Sequence, residues 1–181
     1  GSLDNVKGGK LIKILGFKSS LIFYFGYIII GLITIFTWIL FPKLLLLLFL
    51  IVAAFHFGKE DSEFINKNRN FEFIYFLKGS IVIVAPLLFH KSETLSIFSS
   101  LNFNIIGNFL INNEILYTFI FLSLISNIFL SLGKNFETKS LLFMDFLSIL
   151  ILNYFLNPII AFTIYFCFLH SIRHTISLIN E

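Results

Sequence analysis

Two histidines four residues apart, His170 and His174, sit in an apolar run with Arg173 beside them. On an α-helix, residues four apart share a face, with Cβ atoms roughly 5–6 Å apart. That spacing suits two ligands of one metal ion. A third histidine, His56, ends another apolar run and opens the stretch His56-Phe57-Gly58-Lys59-Glu60-Asp61. Neutral imidazole is the commonest protein ligand of transition metals and suits iron, zinc and copper. Three histidines with open positions fit a reactive metal better than a closed structural site. Such chemistry requires the two stretches to meet.

The elements that would bring them together are membrane spans. Of 181 residues, 57% are hydrophobic and 13% charged. Soluble domains are nearer 45–50% and about 25%, so this is an integral membrane protein: all-α, polytopic, with about six transmembrane helices in one domain over residues 1–181. The spans read as Ser20–Phe41, Leu44–Phe57, Phe73–Phe89, Glu114–Leu132, Leu141–Leu156 and Ile159–Asn180. Residues 90–113 are mixed and suit a loop with an amphipathic helix along the interface. Asn157-Pro158 is a turn with Pro at the first position of the last helix. The 26 phenylalanines accompany many Ile, Asn and Lys, as AT-rich coding produces, and so say little about a pocket. There is no basic domain, and nucleic-acid binding has no support. The single Cys167 can form no internal disulfide. Phosphate-loop, HExxH and hydrolase patterns are absent from the sequence.

Charge sets the orientation. Loops on one side, residues 1–18, 58–72 and 133–140, carry nine Lys and Arg, against Lys43 and Lys91 on the other. The positive-inside rule puts the first set in the cytoplasm. His56, His170, His174 and Asp145 then share the cytoplasmic level of the membrane, whereas His90 falls at the opposite end of its span. In the last span Thr163, Cys167, His170, His174 and Ser177 recur at helical spacing and read as one inward stripe. A packing seam explains small polar residues, but two imidazoles and a guanidinium exceed what packing requires. Glu60 and Asp61 read as carboxylates that could orient a ligand or as a solvated loop face, the latter at least as readily for Glu60. Asp145 reads as a partner of a ligand histidine or of Arg173. His90 reads as interfacial or capping.

These residues carry a family resemblance. His56-Phe57-Gly58-x-x-Asp61 resembles the HFGxxD motif of the Brp/Blh family of microbial membrane proteins, and His170-Ser171-x-Arg173-His174 resembles its closing HSxRH segment. Pro86 to His90 resembles its P-x-x-FH segment. Gly1-Ser2-Leu3-Asp4 resembles the tail of a motif at the end of the family's first helix. The resemblance spans essentially the whole chain. It implies a beta-carotene 15,15'-dioxygenase that uses O2 to make two retinal molecules for a microbial rhodopsin. It further implies non-haem Fe(2+) on His56, His170 and His174, with a fourth histidine just before Gly1. The chain would then lack its first helix and one ligand. Asp4, Asp61, Asp145 and Arg173 would support the ligands, in a multi-pass protein of the inner or plasma membrane with the metal towards the cytoplasm. Rival readings are a desaturase- or hydroxylase-like oxidoreductase, for which four histidines are few, a transporter or proton relay using the buried His, Arg and Asp, and a retinal-binding accessory protein.

Overall fold

A computed structural model describes residues 20–62, 71–101 and 112–171. The described residues form helices and no strands, so the polytopic helical reading holds. Helix α1 covers Ser20–Leu40 and α2 covers Pro42–Glu60. They are followed by α3 (Glu72–Gly79), α4 (Ile81–Phe89), α5 (Lys91–Ser100), α6 (Asn113–Ser131), α7 (Phe136–Phe155) and α8 (Pro158–Ile164), which runs on as a π-helical turn over Tyr165–His170. Among the described residues, five segments are long and apolar enough to cross a membrane: Phe23–Leu40, Pro42–Glu60, Glu72–Phe89, Asn113–Ser131 and Phe136–Phe155. The sixth expected span is described from Pro158 to Ser171.

Two spans differ from expectation at their ends. The second opens at Pro42 rather than Leu44 and continues through Gly58, as so short a run allowed, to make 19 residues. The fifth starts at Phe136, inside the expected polar loop, because Asn135 caps it by accepting the Thr138 N–H at 3.0 Å. Asn112 and Asn157 cap α6 and α8 in the same way, accepting from Glu114 N and Ile160 N at 3.0 Å each. Gly133, with φ of 71°, turns the chain between α6 and α7.

The chain divides into two compact units at Leu45–Leu46. In the first, α1 presents large apolar side chains to its surroundings all along, Tyr24 to Leu40. Its Thr34 and Thr37 hydroxyls donate to the Ile30 and Ile33 carbonyls at 2.9 and 2.8 Å, which spares these two donors from facing the hydrocarbon unbonded.

The second unit positions the candidate chemistry. Ser80 joins α3 to α4 in helical geometry, so Glu72–Phe89 is one span with an offset at the Gly79-Ser80 pair. His90 turns the chain into α5, and Thr94 Oγ1 ties that corner by donating to the Pro86 and His90 carbonyls at 3.0 and 2.9 Å. Along α5, Leu95, Ile97 and Phe98 are half-buried while Ser92, Glu93, Ser96 and Ser99 are exposed, as the expected amphipathic helix requires. The main core gathers Phe57 from α2, Ile81, Val82 and Ala85 from α4, Phe146 and Ile149 from α7, and Tyr165.

One crossing is unusually tight. A Cβ on Gly58 would overlap the Tyr75 carbonyl oxygen and lie 2.8 Å from Gly79 N, and one on Gly79 would overlap the Ala54 carbonyl oxygen. Both obstacles are backbone and cannot rotate away. Small residues at membrane-helix contacts let backbones approach, which is how packing replaces the hydrophobic effect in lipid. Gly58→Ala and Gly79→Ala are each expected to cost about 1–3 kcal/mol or more. Gly26→Ala, where a Cβ meets nothing within 4 Å, should be neutral or gain about 0.5–1 kcal/mol. Thermal unfolding in detergent separates the two classes.

Candidate functional site

His56 lies one turn from the end of α2 with its ring exposed, and His170 ends the π-turn with 5% of its surface exposed. Their ring centroids are 5.5 Å apart. With metal–nitrogen bonds of 2.0–2.1 Å, an imidazole centroid sits roughly 3 Å from its metal, so this separation admits one ion between the two rings. Among the described residues no group of three or more His, Cys, Asp and Glu is arranged to hold a metal. His174, Arg173 and Asp4 lie outside the described residues.

Asp61 is the hub beneath His170. It is 5% exposed, and its Oδ1 is 3.1 Å from His170 Nδ1. Its Oδ2 accepts from the Tyr165 hydroxyl at 2.7 Å. Its backbone carbonyl accepts from Lys78 Nζ at 2.8 Å, and the same ammonium donates to Ser62 Oγ at 2.9 Å. Ser62 in turn donates to the Gly58 carbonyl at 2.7 Å. Lys78 is held by Ser123, whose hydroxyl donates to the Lys78 carbonyl at 3.0 Å. Asp61, Lys78, Asn127 and Asp145 line one cavity of about 10 Å³. All four are buried. The glycine crossing makes this possible, because it brings α3, and with it Lys78, against the last turn of α2.

The π-turn decides what faces Asp61. Five residues along an α-helix rotate a side chain roughly 140° away. The wider π-turn instead aligns Tyr165 with His170, so both reach one carboxylate. Single π-turns within α-helices recur at functional sites. The inward positions are therefore Ala161, Tyr165 and His170. This corrects the expected stripe. Thr163 and Cys167 point outward, and the Thr163 hydroxyl donates to its own helix at the Ile159 carbonyl, 2.7 Å away. The His170 ring is further wedged by Phe57 (centroids 5.0 Å, edge-on) and Phe166 (5.7 Å, stacked).

The expected residues thus separate into groups. His56, His170 and Asp61 come together, and Asp145 sits one layer below, on the cavity it shares with Asp61. His90 stays apart at the α4–α5 corner, twelve residues beyond Lys78 and so about 18 Å along the span; its Nδ1 lies 3.9 Å from Glu93. Sequence reasoning missed Lys78 and Tyr165. Lys78 carried a usable signal, since an ionisable group inside a span is functional by default. Tyr165 carried none that α-helical spacing could read.

An apolar cavity of about 250 Å³ opens beside the histidines. Phe57, Phe162 and Tyr165 form its near wall, and Pro86, Thr94, Ile97, Phe98 and Asn153 its far end. A histidine pair backed by a buried carboxylate therefore adjoins a greasy slot within the membrane layer.

The whole chain, residues 1–181, matches the family model described as beta-carotene 15,15'-dioxygenase. The chain belongs to that family. Comparison with curated proteins and with solved structures gave no match. Membership implies a beta-carotene dioxygenase type of function, and a membrane-spanning dioxygenase meets its hydrocarbon substrate in the lipid that dissolves it.

The hub predicts a graded response in this dioxygenase. Tyr165→Phe removes one hydrogen bond to a buried carboxylate and should cost about 1.5–3 kcal/mol. Lys78→Met removes the cation from a cavity lined by two carboxylates and should cost about 3–5 kcal/mol. Thermal unfolding in detergent reads both, and equal, negligible losses would contradict the hub.

Proposed function

We propose that this chain forms a membrane-embedded non-haem iron dioxygenase that cleaves the central 15,15' double bond of beta-carotene with O2 to give two retinal molecules. The observation that carries the reading is the contact of Asp61 with His170, within ring distance of His56. A carboxylate on the outer nitrogen of a ligand histidine fixes its tautomer and raises its basicity. Asp61 holds the proton on Nδ1, which leaves the Nε2 lone pair for a metal. His56 and His170, with His174 as the expected third ligand, would hold Fe(2+), which imidazole nitrogens suit. Iron, when bound, supplies the redox centre at which O2 reacts with an alkene.

The protein's own residues do the rest. Tyr165 and Lys78 hold Asp61, Phe57 and Phe166 hold the His170 ring, and the apolar cavity excludes water from the polyene. The reaction breaks one C=C bond and forms two C=O bonds with both oxygen atoms of O2 retained. It takes up no proton and no external electron, so the buried Lys78–Asp61 cluster acts as a fixed support. The loop charges favour a cytoplasmic face for the histidines in the inner or plasma membrane, with retinal passing to a microbial rhodopsin. One observation favours a second reading: Lys78, Asp61 and Asp145 on one buried cavity would also suit a proton relay.

Expression of the full-length protein in carotene-producing cells tests the first reading by retinal content and by iron in the purified protein. His56→Ala and His170→Ala should each bring retinal to background, and His90→Ala should retain activity. Asp61→Ala should weaken iron binding about 10–100-fold. Cells that stay yellow and yield iron-free protein would leave the relay reading instead.

A further inference from the structure

The far end of the apolar cavity is less apolar than a pure hydrocarbon requires. Asn153 on α7 lines it and is only 6% exposed. Its Nδ2 donates to the Ile149 carbonyl at 2.9 Å. Only the amino limb of an amide can bond a carbonyl, so the orientation is fixed and Oδ1 is the other limb. No described donor reaches that oxygen. Thr94, 4% exposed, lines the same end. Its single hydroxyl proton is shared between the Pro86 and His90 carbonyls, and its lone pairs have no described donor. Pro86 also lines the cavity and lacks an N–H, so the Val82 carbonyl four residues back has lost its helical partner. Acceptors therefore gather at this end, with no described donor among them.

A terminal ring made only of carbon and hydrogen leaves such acceptors desolvated and unmatched, which is unfavourable. A ring hydroxyl is the complementary group, a single donor on an apolar body. The position suits an end group: Asn153 lies eight residues beyond Asp145 on α7, about 12 Å deeper in the membrane layer. The near wall of the cavity, Phe57 and Tyr165, touches His170. A polyene with its centre at the histidines would thus extend one arm along the cavity towards Asn153.

We propose that this end of the cavity is an end-group subsite that takes the terminal ring of a hydroxylated carotenoid, with Asn153 Oδ1 accepting from the ring hydroxyl and Thr94 as a second acceptor. The proposal rests on the dioxygenase reading for the polyene, but the subsite itself is a binding claim and is measured as one.

Purified full-length, iron-loaded protein in detergent is titrated with beta-carotene and with its dihydroxylated derivative, following the visible absorption of the bound polyene. Retinoid production is measured in parallel. The wild type should bind the hydroxylated compound about five- to tenfold tighter, the size of one net hydrogen bond. Asn153→Leu, similar in volume, should erase that difference by weakening the hydroxylated ligand alone, and Thr94→Val should reduce it less. Ile97→Trp, which fills the far end, should weaken both long carotenoids and spare a shortened apocarotenal that lacks one end ring. Equal binding of the two carotenoids by wild type and Asn153→Leu overturns the subsite, whether or not retinal forms. Selective binding without any cleavage product keeps the subsite and removes the dioxygenase reading.

Discussion

A carboxylate buried inside a membrane protein is the constraint around which the second unit is built. Asp61 cannot be left without partners there, because an unpaired charge in a low-dielectric medium is prohibitively unfavourable. Each partner makes its own demand on the fold. The Tyr165 hydroxyl and His170 Nδ1 reach the two carboxylate oxygens together only because one turn of the last described helix is widened to π geometry. Lys78 reaches the Asp61 carbonyl and Ser62 only because α2 and α3 touch backbone to backbone at Gly58 and Gly79. The two irregular features of the fold thus both converge on Asp61, the glycine crossing at its backbone carbonyl and the π-turn at its carboxylate. Regular α-helices at ordinary spacing would hold neither contact.

The parts of this arrangement that sequence exposes are those that obey regular periods. The spans are visible because about 20 apolar residues must cross the bilayer, and Asn112, Asn135 and Asn157 mark helix starts by their capping chemistry. His56 and His170 are visible as ionisable groups in greasy runs, and their meeting follows from the loop charges. Asp61 was readable as a carboxylate able to meet a histidine, and it contacts His170. The rest fails for a physical reason in each case. The stripe through Thr163 and Cys167 assumed 3.6 residues per turn, and one π-turn rotates the register so that Tyr165 replaces Cys167 on the inner face. Lys78 stands out as an ionisable group inside a span, but that it is 5% exposed and turned to the 61–62 turn depends on the glycine crossing, which no sequence period shows. Asp145 was readable as buried and polar. That its cavity is shared with Lys78 and Asn127 depends on which faces of α3, α6 and α7 meet, and no single-sequence pattern encodes that.

Tyr165 links the two halves of the site. Its hydroxyl belongs to the polar cluster, and its ring belongs to the wall of the apolar cavity. Phe57 does the same from α2, packing its ring edge against His170 while lining the slot. A ligand in the cavity therefore presses on the same side chains that fix the histidine. Shape in the slot and geometry at the histidines are not independent, and a polyene misplaced along the cavity would be felt at His170 before any bond is broken.

The proposed cleavage of an alkene by O2 would be compatible with so tightly sealed a polar cluster. With no proton to deliver and none to remove, no chain of water to the surface is required, and Asp61, Ser62, Lys78 and Ser123 can each be at most 5% exposed. A relay would ask for the opposite: alternate partners for each group and an open path at both ends. Here the hydrogen bonds run in one consistent direction, from Ser123 to the Lys78 backbone, from the Lys78 ammonium to the 61–62 turn, and from Ser62 back to Gly58. Each donor has a fixed acceptor within one rigid crossing of α2 and α3. Such a cluster holds its shape, which would suit the orienting role proposed for Asp61.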